Sequence, residues 1–426
     1  MGPARYSLKD TTVHIQYSEE AEAFRSTIRR LLDENLPEGW VGVGALGPTE
    51  RAEFHENWKR TLHHNGLLAV SWPKEYGGAD LSLAQTVVLN EEMTRAGAVL
   101  EDVQLNIGMN LLGRTLMELG TPEQKARFLP RLLSGEDRWC QGFSEPGAGS
   151  DLAGLSSRAT LDGDEWVING QKIWTSEAHM ANWIFVLSRT DPDAPKHKGM
   201  TFLLVPMDQP GVEVRQVVNI NGSHDFNEVF FTDAKTSRDL VVGDIGEGWN
   251  VASVLLGFER GGSSTTRALM YRAELDRLMR DAQALGRTND PVIRQRLAEA
   301  HTRVELMRYV ALRTLTRLLE GGLPGPSGSI FKMMWSLHHQ AVTELAVDII
   351  GTEAVAPSGH LPADFFQDAE GAEYSSATWV WTFLAARSDT IRGGTTDIQR
   401  DIIGNRVLGL PKEPRSDRGP WRDIPR

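Results

Sequence analysis

One cysteine, Cys140, stands alone in 426 residues. An internal disulfide framework and a thiolate zinc cluster are therefore excluded, and a reducing compartment suits the chain. Basic charge is also short. The 45 Lys and Arg against 57 Asp and Glu leave a formal charge of −12, which argues against nucleic acid and against anionic membranes as partners. No apolar run approaches the roughly 20 residues of a membrane span, and Met1 to Lys9 lacks the apolar stretch of a secretory signal. A cytoplasmic protein is expected. The sequence has no HExxH string, no G-x-S-x-G elbow and no internal repeat. His63-His64 and His338-His339 are adjacent pairs, and neighbours on a helix do not share a face. No metal site is expected.

What is present is ordinary globular composition, 40% hydrophobic and 24% charged. The first third reads as helical. Ser18 caps a run in which Ala21, Phe24, Ile28, Leu31 and Leu32 recur at helical spacing, and further helical patterns occupy 51–65 and 83–96. Thr121-Pro122-Glu123-Gln124 opens another helix with a capping Thr and Pro in the first turn. From Gln141 the texture becomes strand-like, with runs at 183–188, 200–206, 212–218 and 228–231 and two strands expected about the turn Asn169-Gly170. After Gly248, an apolar stripe through Ile293, Leu297, Ala300, Val304, Met307, Ala311 and Leu318 marks a packed helix. The expected division is 14–139 helical, 140–245 a β domain, 246–410 a helical bundle, and 411–426 a loosely held tail.

Three strings invite a ligand. Gly42-Val43-Gly44-Ala45-Leu46-Gly47 matches G-x-G-x-x-G, but it lies between two helical segments and lacks the preceding strand that a phosphate cradle needs. Lys196-His197-Lys198 reads most simply as a solvated loop. The third string, Cys140 to Gly154 (CQGFSEPGAGSDLAG), fits no helix or strand interior. It supplies hydroxyls, free amides and almost no bulk, as a loop does that approaches a ligand closely.

The segment Gly142 to Gly154 resembles the first signature of the acyl-CoA dehydrogenases, and Asp389 to Leu410 (DTIRGGTTDIQRDIIGNRVLGL) resembles their C-terminal signature. Trp72 to Gly78, Gly120 to Lys125 and Asn169 to Ser176 fall between and before them in the family's order, so the likeness runs from Tyr17 to Leu410. The wording of Trp72 to Gly78 and Gln141 to Pro146 is similar to an actinobacterial-type branch that includes sterol side-chain enzymes. The resemblance implies an α+β, mainly α, fold: an N-terminal helical domain, a middle β domain and a C-terminal four-helix bundle. It implies FAD as cofactor, an acyl-CoA substrate dehydrogenated to the trans-2-enoyl thioester, and an electron-transfer flavoprotein as partner. A homotetramer or a heterotetramer with a paralogous subunit is implied as well.

Residue by residue, the implied cofactor contacts are Phe143, Ser144, Gly149, Ser150, Trp174, Thr175, Ser176, Gly351, Thr395 and Asp397. Ser150, Arg260 and Gly393 fall on the substrate side. The family's commonest catalytic Glu, just before Gly-Thr in the C-terminal signature, is replaced here by Gly393. A minority of the family carries the base on an earlier bundle helix, and that position is Glu259. On an apolar helix turn its carboxylate is partly desolvated, which strengthens it as a base. An Arg-x-x-Phe-Gly string that reaches a neighbouring subunit's FAD is missing near 284–294, and a later Gly-Gly is reduced to Gly351-Thr352. Two other readings of the same resemblance remain: an acyl-CoA oxidase or flavin monooxygenase, and a non-catalytic partner subunit.

Overall fold

The computed structural model describes residues 17–99, 103–259, 264–321, 325, 327–359, 361, 374–412, 417 and 419–424. In chain order the first helices are α1 (Glu19–Asn35), α2 (Pro48–His64), α3 (Leu83–Ala96), the short α4 (Val103–Leu105), α5 (Arg114–Leu119) and α6 (Pro122–Ser134). Strands β1 (Trp139–Gly142), β2 (Arg158–Asp162), β3 (Glu165–Ser176), β4 (Trp183–Arg189), β5 (Met200–Pro206), β6 (Val212–Val217), β7 (Phe226–Ser237) and β8 (Val241–Val242) follow. The chain then returns to helix in α7 (Gly248–Glu259), α8 (Ser264–Ala284), α9 (Pro291–Leu319), α10 (Ser327–Ile350), α11 (Ser376–Ala386) and α12 (Thr396–Ile402). The expected order of helices, sheet and helices is the observed one.

The chain forms two compact units that cut across this order. One takes its residues from 1–65, 81–100 and 261–411, the other from 66–80, 101–260 and 412–426. In the first, α8 to α11 surround an apolar core of Tyr271, Leu275, Leu278, Val304, Met307, Val342, Leu345 and Trp379. The predicted stripe of α9 is buried from Ile293 to Ala311, and the buried face then continues through Leu315. Helix α1 meets α3 around an ion-pair cluster in which buried Arg25 binds Glu91 at 3.1 Å and Glu92 at 2.6 Å. The discounted Gly42–Gly47 string is a 3-10 turn (Val43–Ala45) with no strand before it.

The second unit is built on an eight-stranded sheet of order β6-β7-β3-β2-β4-β5-β8, with β1 pairing parallel to β4. Its helical side carries an eight-residue π-helix, Asn106–Gly113. Trp72 packs there: its indole N–H donates to the Met109 carbonyl at 3.2 Å, and a Cβ on Gly113 would lie 2.3 Å from the Trp72 ring. A wider turn frees a carbonyl, and Trp72 satisfies it. Helix α7 packs on this π-helix through a face that buries Val251, Ala252 and Leu255.

Two expectations are corrected. Asn169-Gly170 is not a hairpin turn: β3 runs unbroken through it, and the chain reverses at Gly163 instead, where Asp162 pairs with Glu165. Gly170, at φ 147°, sits on a β-bulge where a Cβ would meet the Ser157 hydroxyl at 2.4 Å, and Asn169 reaches across to Asp233 at 2.9 Å. The glycine serves a close approach between strands, which the dipeptide alone does not distinguish from a turn. The described part of the tail, around Trp421, is docked rather than loosely held. Trp421 is buried 4.9 Å beneath the Arg189 guanidinium, and its amide donates to the Ala194 carbonyl at 2.9 Å.

Candidate active site

In the sheet unit, β1 releases the chain into the loop 143–150. Phe143 plugs it into the core, edge-on to Phe185 and Phe202. Glu145 and Ala148 exchange both backbone hydrogen bonds, closing a tight turn over Pro146-Gly147. Beneath the turn, the buried Glu145 carboxylate lies 2.8 Å from Lys172 Nζ and accepts from the amides of Ser156 at 2.7 Å and Ser157 at 2.9 Å. Lys172, wholly buried, also donates to the carbonyls of Phe143 at 3.2 Å and Leu187 at 2.8 Å. Burial by itself raises the Glu145 carboxyl, but the Lys172 ammonium and the serine donors outweigh it and hold the group down to about 2. The loop is thus fixed from below.

Its outer side is left open. The amide and the hydroxyl of Ser144, and the amides of Gly149 and Ser150, donate to nothing among the described residues. Ser150 and Gly149 are exposed, and nothing lies within 4 Å of a Cβ placed on Gly147 or Gly149. Ser144 gives its carbonyl to the amide of Ile173 at 2.9 Å, which ties the loop to the second bulge of β3. There Trp174 holds φ 60° and keeps 55% of its surface exposed, edge-on to Phe226. A bulky residue in the left-handed region is strained, and a large exposed aromatic face held at that strain is a feature of ligand sites. Thr175 is buried, its hydroxyl without a partner among the described residues, while its carbonyl accepts from Asn227 at 3.0 Å. Ser176, the last residue of β3, is half-buried. Unspent donors beside an open indole face fit a flat, hydrogen-bonding heteroaromatic ligand.

Glu259 is the last residue of α7, and its side chain and Arg260 lie outside the described residues. The residue before it, Phe258, sits 4.4 Å under the Arg114 guanidinium.

In the helical unit, the turn between α11 and α12 carries Gly393 and Gly394 at φ 64° and 90°. The Gly393 amide donates to nothing among the described residues, and the space about its Cα is open. Thr395 caps α12 by accepting from the Ile398 amide at 3.3 Å. Asp397 is exposed and pairs loosely with Arg400, and Gly351 is exposed at φ 65°. Each unit therefore groups its own expected residues: Phe143, Ser144, Gly149, Ser150, Trp174, Thr175, Ser176 and Glu259 in one, Gly351, Gly393, Thr395 and Asp397 in the other.

Several groups escaped the sequence reading. The Glu145–Lys172 pair was invisible because 27 residues separate its members. The loop 196–198 is solvated only in part: Lys198 is exposed and pairs with Glu247 at 2.6 Å, whereas Lys196 is buried between Asp151 at 2.8 Å and Asp417 at 3.0 Å, and His197 lies edge-on to Trp249. Acidic partners from two distant segments draw Lys196 inward, and no local pattern announces them.

Comparison with known proteins bears on the same residues. Three family models match in succession: the acyl-CoA dehydrogenase N-terminal domain over 18–136, the middle domain over 140–234 and the C-terminal domain over 246–408. The chain is 44% identical to acyl-CoA dehydrogenase IpdE1 of Mycobacterium tuberculosis over 401 residues, covering 93% of this chain and 99% of that one. It is 42% identical to IpdE1 of Mycolicibacterium smegmatis over 408 residues, covering 92% and 99%. Among solved structures, the steroid ACAD Tcur3481-Tcur3483 superimposes with a TM-score of 0.76 at 30% identity, over 94% of this chain and all of that one. The ChsE4-ChsE5 complex of Mycobacterium tuberculosis gives 0.74 at 28%, over 94% and 100%. With all three models matched in order and relatives alike over nearly their whole length, the chain belongs to the acyl-CoA dehydrogenase family and is an oxidoreductase.

Proposed function

We propose that this chain dehydrogenates an acyl-CoA thioester between Cα and Cβ, giving the trans-2-enoyl thioester, and delivers the electrons to an electron-transfer flavoprotein. The observation that carries the reading is the pair formed by Ser144, with its unspent amide and hydroxyl, and Trp174, held exposed at φ 60° on the strand tied to it. These two fit FAD, the Ser144 donors taking the pyrimidine edge and the Trp174 indole covering the ring system. Phe143, Gly149, Thr175 and Ser176 complete that side, and Gly351, Thr395 and Asp397 are the further positions that the family resemblance assigns to FAD. Bound there, FAD supplies the acceptor for the hydride that leaves Cβ.

The chain's own residues perform the rest. Glu259 takes the α-proton as general base. The Gly393 amide donates to the thioester carbonyl and stabilises the enolate-like charge that develops as the proton leaves. Ser150 and Arg260 hold the CoA arm. No carboxylate stands at position 393, which leaves Glu259 as the group in the family's alternative place.

The substrate is a CoA thioester whose acyl part is cyclic or otherwise bulky rather than a straight medium chain. Support comes from the base position and from the likeness to a structure described as a steroid ACAD. A heteromer with a paralogous subunit is favoured by the absent Arg-x-x-Phe-Gly string and by the likeness to two-component complexes. The test is to purify the chain alone and with candidate paralogues and read the flavin absorbance bands. Turnover of a thioester panel is then measured with an artificial acceptor and with oxygen. Bound flavin, reduction by a bulky cyclic thioester and preference for the artificial acceptor are expected. Absence of flavin from every preparation contradicts the reading.

A further inference from the structure

The turn that carries Gly393 is anchored from behind by a buried charge cluster that the proposed reaction does not use. Asp389, wholly buried, places one carboxylate oxygen 2.5 Å from His339 Nδ1. Its other oxygen accepts from Nε and Nη2 of Arg392 at 3.0 and 2.7 Å, and its carbonyl accepts from Lys332 Nζ at 2.8 Å. On its far side, His339 Nε2 is 3.3 Å from a carboxylate oxygen of Glu274, itself buried. Two carboxylates thus clamp one imidazole between α8 and the turn after α11. Burial works against the charged ring, but Glu274 and Asp389 prevail and raise it to about 9.

Such a cluster is a poor way to gain stability, because apolar packing of equal volume serves as well or better once desolvation is counted. What it does supply is fixed geometry. Gln340 of α10 adds bonds to the carbonyls of Ala386 and Arg387 and to the Thr390 hydroxyl. Gln399 of α12 ties down the carbonyls of Gly393 and Gly394, both at 3.2 Å. From Ala386 to Gly394 the turn is held on its inner side, while the amides of Thr390, Gly393 and Gly394 donate to nothing among the described residues and the place of a Cβ on Gly393 is open.

We propose that Asp389 and His339 are positioning residues, a buried pair that fixes the turn so that the Gly393 amide meets the thioester carbonyl in a set orientation. A donor is effective in the transition state only if it is already aimed, and loosening its support costs rate more than binding. This rests on the reading of the previous subsection, and the test separates the two.

Asp389→Asn keeps the shape and removes the charge that holds His339 and Arg392. Arg392→Gln is a second variant, at a half-exposed side chain where the fold is expected to tolerate the change. Two measurements are made on each intact, flavin-loaded protein. The first is the rate at which a CoA thioester reduces the flavin, with its concentration dependence. A loss of tenfold or more with the half-saturation concentration within threefold is expected for Asp389→Asn, and threefold to tenfold for Arg392→Gln. The second is hydrogen exchange in the peptide 387–399, whose bonded amides at Asp389, Ile391, Arg392 and Thr396 are expected to exchange at least tenfold faster in Asp389→Asn. Wild-type rates and unchanged exchange in both folded variants overturn the proposal. If Asp389→Asn does not fold, Arg392→Gln decides on the same two measurements. If the wild type is reduced by no thioester, the functional reading has failed, and exchange alone decides: an unmoved turn overturns the positioning role.

Discussion

Lys172 Nζ lies 2.8 Å from Glu145 Oε1, and both side chains are withdrawn from water beneath the loop that presents Ser144. Breaking a buried pair leaves one uncompensated charge, which costs about 3–5 kcal/mol. Lys172→Met is therefore expected to lower the denaturant midpoint strongly and to lose flavin together with stability. Glu145→Gln keeps its neighbours' hydrogen bonds in part and is expected to be milder. Equal flavin content and an unmoved midpoint in Lys172→Met would remove the pair from the account.

The same pair sets a dependence on acid. The folded carboxyl of Glu145 is depressed from 4.5 to about 2, so the unfolded chain binds its proton first as pH falls. The stability it contributes is complete above pH 4.5 and is lost progressively as pH drops toward 2. Denaturant titrations across that window are expected to show a steeper loss in wild type than in Glu145→Gln.

Trp174 separates stability from ligand binding. Its indole is mostly exposed and its backbone is strained at φ 60°, so Trp174→Gly is expected to change unfolding free energy by no more than about 1 kcal/mol, in either direction. Flavin content is expected to fall sharply, with a blue-shifted spectrum in what remains. A variant that keeps full flavin and an unchanged spectrum places the ligand away from this face.

The tail gives a third contrast. Trp421 is buried against Arg189 while Asp417 shares Lys196 with Asp151. Trp421→Ala is expected to release the last dozen residues locally, which limited proteolysis reads as faster cleavage between 411 and 424 without a matching fall in the global midpoint. Unchanged cleavage would mean that the contact does not hold the segment.

Much of this was legible in the sequence because it is local. Capping residues such as Ser18 and Thr121, the α9 stripe, the strand runs and the small-residue loop at 143–150 all announce themselves within a few positions. What was hidden is long-range. Gly170 reads as a turn until Ser157 is seen packed against it, and the tail reads as loose because Arg189 and Lys196 lie over two hundred positions away. The Asp389–His339 contact spans 50 residues. Neither His338 nor His339 shows by its neighbours which is the charged one. Burial away from any carboxylate lowers His338 to about 3, while two carboxylates raise the other.

Glu259, at the end of α7, is the proposed base. Glu259→Gln preserves volume and removes the proton acceptor, so flavin content and thioester binding are expected to stay near wild type. Rapid-mixing measurement of flavin reduction by a bulky cyclic acyl-CoA is the direct test. A rate lowered by about 10³-fold or more agrees with removal of the general base. A rate within a few-fold of wild type contradicts the assignment and moves the base to another residue or another subunit.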